Sequence, residues 1–149
     1  MFKKIQKANN KPVIGCVELC DLPDLGIFGV EVRIDTGAKT SSLHVDNLIS
    51  FEDEGSPWVM FDLHPNLHNV GEVLNCKAPV KDIKTIRSSN GIKEKRYVIS
   101  TTLKLHDYIW PIDVTLSNRA KMTYLMLLGR EGMGNFFLVD PSRKFMKNE

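Results

Sequence analysis

Residues 30–45 read VEVRIDTGAKTSSLHV, and how this stretch is read decides the fold. Val30, Val32 and Ile34 alternate with Glu31 and Arg33, the period-two pattern of a strand with one buried face. The strand then ends in Asp35-Thr36-Gly37-Ala38. Asp and Gly are common turn formers, so Asp35 is either a turn residue or a carboxylate presented at a corner for chemistry. A second feature lies near the other end of the chain, where Met126-Leu127-Leu128-Gly129-Arg130 is an apolar run closed by glycine. Alone, that run reads as a buried strand.

Outward from these two features, β character recurs in short segments separated by Gly, Pro, Asn or Asp. The segments are PVIGCVELC, IFGVEVRID, SPWVMFDLH, KTIR, RYVISTTLKL, YIWPIDVTL, TYLMLLG and NFFLVD. Thr101, Leu103 and Leu105 share one face, as do Ile112, Val114 and Leu116. Only SNRAKMTYL and LGREGMG have room for a helical turn or two. Eight short strands with little helix predict an all-β fold, closed or nearly closed into a barrel, because an open sheet of so many strands would leave exposed edges.

Bulk properties narrow the class. The chain has 149 residues, enough for one domain with its own core. Residues 1–12 are polar and basic and are expected to form a mobile tail, with the domain over 13–149. No apolar run approaches the roughly 20 residues that span a bilayer, and the N-terminal lysines precede no apolar segment of a secretory signal. The expected compartment is the cytoplasm, with no membrane partner. Cys16, Cys20 and Cys76 show no disulfide framework. A net charge of +2 and 8% aromatic residues supply neither the field nor the stacking platform of a nucleic-acid binder.

Taken in order, DTGAKTSSLH, PWVMF, RSSNG, TTLKLHDYIWPIDVTL, SNRAKM and LLGREGMGNFFLVDPSRKF resemble a bacterial retropepsin-like family of aspartic proteases. That family is commonly labelled an ATP-dependent zinc protease and occurs alongside ATP-grasp ligases of the RimK type. The likeness covers the chain from Val13 onward and implies an Asp-Thr-Gly loop buttressed by the later apolar-apolar-Gly strand. Two carboxyls about 3 Å apart cannot both ionise, so such a pair shares one proton and titrates as a unit. The ionised member takes a proton from a bridging water, and its protonated neighbour donates to the scissile carbonyl. One chain carries one Asp-Thr-Gly. The resemblance therefore implies a homodimer in which Asp35 from each chain meets on a two-fold axis. Gly37 would let the backbone approach the water, Thr36 would bond across to the opposite loop, and Ala38 would border the substrate.

The same resemblance implies a hairpin flap over the substrate. KTIRSSNGIKEKRYVI is the candidate, because Asn90-Gly91 signals a type I′ turn between β-prone flanks. Arg87, Ser88, Ser89, Asn90 and Gly91 would contact substrate at its tip. Lys81, Lys84, Arg87, Lys93, Lys95 and Arg96 concentrate positive charge here against Asp82 and Glu94. Either these cations bind something acidic, such as the peptides or tails made by ATP-grasp ligases, or they discourage edge-to-edge pairing. Arg119 and Arg130 are further candidate anion contacts, Arg119 being equally readable as an exposed turn residue.

Some features depart from the pattern or from the label. Viral retropepsins place an acid where this chain has Lys39, so Arg130 needs another partner among Glu31, Glu131 and Asp140. The spacer SFEDEGSPWVMFDLHPNLHNVGE makes the path to the flap longer than in viral enzymes. Neither zinc nor ATP has a motif: there is no H-E-x-x-H, Pro65 interrupts the His64–His68 pair, and no Gly-rich loop ends in Lys-Ser or Lys-Thr. No cofactor is expected. His44 either lines the cleft or is a hydrogen-bonded structural histidine, and Cys76 lacks the context of a thiol nucleophile. Three functions stay open: a homodimeric aspartic peptidase, a noncatalytic module binding an acidic partner, and a metal-dependent hydrolase using His64 and His68.

Overall fold

The computed structural model describes residues 11–66, 71–87, 90–118 and 123–147. Eleven strands and one α-helical turn fill these residues. In chain order they are β1 (Val13–Leu22), β2 (Ile27–Ile34), β3 (Ser41–His44), β4 (Asp46–Asp53), β5 (Ser56–Leu63), β6 (Leu74–Pro79), β7 (Asp82–Arg87), β8 (Lys93–Leu105), β9 (Tyr108–Ser117), β10 (Met126–Leu128), α1 (Arg130–Met133) and β11 (Leu138–Lys144). The larger sheet runs β11-β1-β2-β10-β3-β9-β8-β7, and an extra β1–β8 pairing closes six of these strands into a ring. A smaller sheet, β4-β5-β6, stands beside it.

The alternation in the sequence sets the core. Val30, Val32, Ile34, Thr101, Leu103, Leu105, Ile112, Val114 and Leu116 are all buried. They bring one face of β2, β8 and β9 into a cluster that also takes Met126 and Leu128 from β10. The inner face of the small sheet, with Val59, Phe61, Leu63, Cys76 and Ala78, joins the same cluster.

Three strands were not legible as such. β3 is four residues of mixed polarity, β4 faces water along most of its length, and β6 reads LNCKAP. Each forms because its neighbours offer backbone partners, the context that outweighs strand propensity. At the C-terminus, β11 begins only at Leu138 because Phe137 turns inward, its ring 5.6 Å from Tyr108 and 5.4 Å from Trp110. The expected type I′ turn at Asn90-Gly91 is also absent. Arg87 pairs with Lys93, leaving 88–92 in the connection, and only Gly91 of this dipeptide has positive φ, at 84°. A two-residue turn with both φ positive instead joins β4 to β5, at Glu54 (50°) and Gly55 (79°). Of the stretches with room for helix, LGREGMG supplies α1, while 119–122 lie outside the described residues.

A buried carboxylate fixes the C-terminal strand. Glu18, 1% exposed, interrupts the apolar face of β1. Its Oε2 accepts from the Gly15 amide at 2.6 Å, its Oε1 sits 2.7 Å from His106 Nε2, and both oxygens accept from the Met146 amide at 3.1 and 3.2 Å. A carboxylate this deep survives only with its oxygens bonded. The Phe145 amide donates to Val17 O at 3.0 Å beside it, so the chain end is tied to β1 by backbone and side chain together. Gly15 permits this approach: a Cβ there would lie 2.4 Å from Arg143 O.

Two substitutions test this framework. Glu18→Ala leaves two backbone amides and an imidazole unpaired, and should lower stability by about 3 kcal/mol in denaturant melts, with early hydrogen exchange at Met146. Gly129→Ala forces a methyl to within 2.5 Å of Thr40 O and 3.0 Å of Ala38 O, and should cost on the order of 2 kcal/mol, whereas full retention of stability would show that the β10 end is loose.

Candidate active site

β2 delivers Ile34 to the core, and the next residue leaves the sheet. The Asp35 amide donates to Leu128 O at 2.9 Å, so the corner begins while still bonded to β10. The Ala38 amide then closes the turn on Asp35 O at 3.2 Å. The Gly37 amide donates to Asp35 Oδ1 at 3.0 Å, which fixes the carboxylate over its own loop. A Cβ on Gly37 would sit 3.3 Å from that oxygen, so glycine keeps the carboxylate uncrowded. Asp35 is half-buried, while Thr36 and Gly37 are exposed at the tip.

The C-terminal motif holds this loop from behind. β10 lies between β2 and β3, parallel to the first and antiparallel to the second. The Gly129 amide donates to Ser41 Oγ at 3.0 Å, the Arg130 amide to Ala38 O at 2.8 Å, and the Glu131 amide to Lys39 O at 3.0 Å. The Arg130 guanidinium donates through Nη1 to Thr36 O at 3.0 Å. Its partner is thus a loop carbonyl and not one of the three carboxylates considered from the sequence. Glu131 instead stands 3.8 Å from Lys39 in an exposed pair that contributes little. Arg130 is placed to hold the loop, whereas a substrate contact would need its guanidinium turned outward. Trp110 Nε1 donates to Gly132 O at 2.9 Å and steadies the single turn of α1.

Sequence reading missed Ser41. This buried hydroxyl accepts from Gly129 while its carbonyl accepts from Thr115 Oγ1 at 3.2 Å. The available signal was a polar residue two positions before the apolar Leu43, on the same strand face.

A groove of about 700 Å³ runs from Thr40 and Ser41, past Glu131 and Gly132, to Lys81 and Lys84 at the base of the β7–β8 hairpin. The hairpin does form where the flap was expected. Ser88, Ser89, Arg119 and the Arg87 side chain lie outside what the structure describes. At the tip, the Ile92 amide donates to Asn90 Oδ1 at 3.2 Å. Three of the hairpin cations are engaged: Lys81 by both Asp113 oxygens at 2.9 and 2.8 Å, Arg96 by Glu94 at 3.3 Å, and Lys95 over the Tyr97 ring at 5.5 Å. Strand register sets Lys84 directly opposite Arg96, and Arg87 opposite Lys93. Like charges placed across a ladder repel.

The other candidates lie elsewhere. His64 Nε2 is 2.8 Å from Asp46 Oδ2, whose Oδ1 accepts from Asn118 at 2.9 Å; His68 is outside the described residues. Among the described residues, no three of His, Cys, Asp and Glu cluster closely enough to hold a metal ion. Burial, with a smaller contribution from Asp21, pushes the Cys20 thiol up to about 12. Burial, then Asp62, raises Cys76 as well. Both thiols are therefore kept from the thiolate form that nucleophilic chemistry needs. His44 is half-buried at the end of β3, its amide donating to Leu125 O at 2.8 Å.

Comparison with known proteins agrees with this geometry. A family model described as "Retropepsin-like aspartic endopeptidase RimB" matches residues 13–149. A protein of Shewanella pealeana named "Probable alpha-L-glutamate ligase" is 46% identical over 142 residues, which is 95% of this chain and 31% of that protein. The protein of the same name from Shewanella halifaxensis is 47% identical over 138 residues, 93% of this chain and 30% of its own length. The chain thus spans about a third of the curated relatives it matches. Among solved structures, a Legionella pneumophila protein of unknown function superposes with a TM-score of 0.75 at 28% identity, covering 93% of this chain and all of that one. These matches extend over nearly the whole chain, and the chain belongs to the RimB-like family of retropepsin-like aspartic endopeptidases.

Proposed function

We propose that this chain is a homodimeric aspartic peptidase in which Asp35 supplies half of a catalytic dyad. The observation that carries the reading is the corner itself: a single Asp-Thr-Gly per chain, rigidly held from behind, with Thr36 and Gly37 exposed in front. A second copy approaching along a two-fold axis would bring its own Asp35 opposite the first. Exposed Thr36 would then reach the partner loop, and Arg130, bonded to Thr36 O, would set the height at which it does so. With one proton shared between the carboxyls, the ionised Asp35 takes a proton from water as it attacks the carbonyl carbon, and the protonated one donates to the carbonyl oxygen. Collapse of the tetrahedral intermediate expels the amine, which takes up a proton.

The substrate we propose is an acidic peptide or protein tail built by a glutamate ligase. Two observations support it. Relatives that contain this domain carry the glutamate ligase name. The Lys84–Arg96 pair, opposed across the ladder, also leaves the hairpin with repulsion that a bound polyanion would relieve. The hairpin would close over the groove and lay these cations against the tail.

Cleavage of Glu-tailed peptides, read by mass from about pH 4 to about pH 8, should fall by at least about 10³-fold in Asp35→Asn and survive a chelator. Loss of cleavage to the chelator would move the chemistry to the histidines. No cleavage at any pH, with a mass of 16.9 kDa in solution, would leave an acid-binding module. The double variant Lys84→Ala, Lys93→Ala should raise KM for Glu-tailed peptides about tenfold while the unfolding temperature holds or rises; an unchanged KM would assign these cations to edge protection alone.

A further inference from the structure

The turn that backs the Asp35 loop cannot satisfy its own backbone. α1 is four residues long, so its carbonyls have few partners within the helix. The Gly134 amide donates to Arg130 O at 3.0 Å, whereas Gly132 O accepts from outside, from Trp110 Nε1 at 2.9 Å. Gly132 is also where the turn lies tightly against the support of the loop. A Cβ on it would stand 2.7 Å from Ser41 Oγ and 2.7 Å from Leu128 Cδ1. Ser41 Oγ is the hydroxyl that accepts from the Gly129 amide. One indole N–H therefore seats a residue that touches both the threaded strand and the hydroxyl holding its end.

Trp110 has a second use. It stands on β9 opposite Leu103, half-buried against the core, with its ring 5.4 Å from Phe137. It also lines the groove, where Ile112 and Phe136 add apolar wall and Lys81 and Lys84 add cations. Among the described residues, the groove touches Thr40, Ser41 and Gly132 but not Asp35 itself. A chain segment lying in it acts on the carboxylate only through what stands between. Tryptophan suits that place, because it offers a broad apolar ring to a ligand and one N–H to the backbone.

We propose that Trp110 is a positioning residue for the Asp35 corner: the substrate segment that fills the groove packs on its ring, and its N–H carries that contact to Gly132 O. This rests on the peptidase reading above and names the residue through which substrate remote from the cleaved bond acts on the same site. With the groove filled, the indole stays on Gly132 O, and α1 keeps the Arg130 and Glu131 amides on Ala38 O and Lys39 O. Asp35 then holds the orientation in which it takes a proton from water. Contacts far from the bond are in this way expressed in kcat more than in KM. A glutamyl side chain fits the wall, its methylenes covering the ring and its carboxylate suiting the Lys84 that lines the same groove.

The test uses the full-length chain and Glu-tailed peptides of graded tail length. Trp110→Phe keeps a ring beside Phe137 and removes the donor to Gly132 O. On long tails it should lower kcat about tenfold while KM changes by less than about twofold, and on short tails kcat should hardly change. The wild-type gain in kcat from short to long tails should thus vanish. An equal loss of kcat on short and long tails, with a lower unfolding temperature, would make Trp110 merely structural and overturn the proposal, as would an effect on KM alone. Hydrogen exchange supplies a readout that needs no cleavage. In Asp35→Asn, a bound long tail should slow exchange at the Arg130 and Glu131 amides, and in the double variant Asp35→Asn, Trp110→Phe it should not. Equal protection in both, or none in either, would overturn the coupling even where Asp35→Asn has established the peptidase. Protection that needs the indole donor, in a protein whose wild type cleaves nothing, would support the coupling and remove the peptidase reading.

Discussion

The fold depends on one threading contact, the passage of β10 between β2 and β3. Three residues long, β10 has too few bonds to stand alone, and it persists because Met126 and Leu128 fill the ring interior while their backbones bond on both sides. Gly129 then lets the chain pass against Ala38 and Thr40 at a distance no side chain would permit. From that passage follow the bonds to Ser41 Oγ, Ala38 O, Lys39 O and Thr36 O. The Asp35 corner is thereby fixed by residues about ninety positions away along the sequence, the long-range closure that makes such a loop rigid once formed.

Rigidity behind and exposure in front is an arrangement with a purpose. A corner serving only as a turn would need neither the guanidinium of Arg130 on the Thr36 carbonyl nor a buried hydroxyl on the Gly129 amide. Held in this way, the Asp35 carboxylate keeps one orientation over its loop, which the proposed acid–base chemistry would require. The hairpin has the opposite character. Its ladder places Lys84 against Arg96. Under the proposed function, a bound anion would relieve that repulsion.

Much of this was legible in the sequence. The alternation at Val30–Ile34, Thr101–Leu105 and Ile112–Leu116 identified buried faces, and the pairing of Asp-Thr-Gly with Leu-Leu-Gly identified the corner and its buttress. The rest was not, for physical reasons. β3, β4 and β6 lack strand propensity and form through their neighbours' open ladders. Asn90-Gly91 carries the signal of a two-residue turn, yet the register of Arg87 with Lys93 imposes a longer connection, and the primed turn falls at the less conspicuous Glu54-Gly55. Arg130 invited a carboxylate partner, but a carbonyl was nearer. Glu18 looked like any strand residue, because its donors come from His106 and from the chain end, which no local pattern announces.

The central claim is that two Asp35 carboxyls from different chains make one site, and subunit mixing tests it most directly. Wild-type chains would be mixed with increasing proportions of Asp35→Asn at constant total protein, allowed to exchange, and assayed on a Glu-tailed peptide. A shared dyad predicts activity that falls with the square of the wild-type fraction, to about one quarter when half the chains are substituted. Activity that instead falls in simple proportion, to about one half, would contradict the account by showing that each chain works alone.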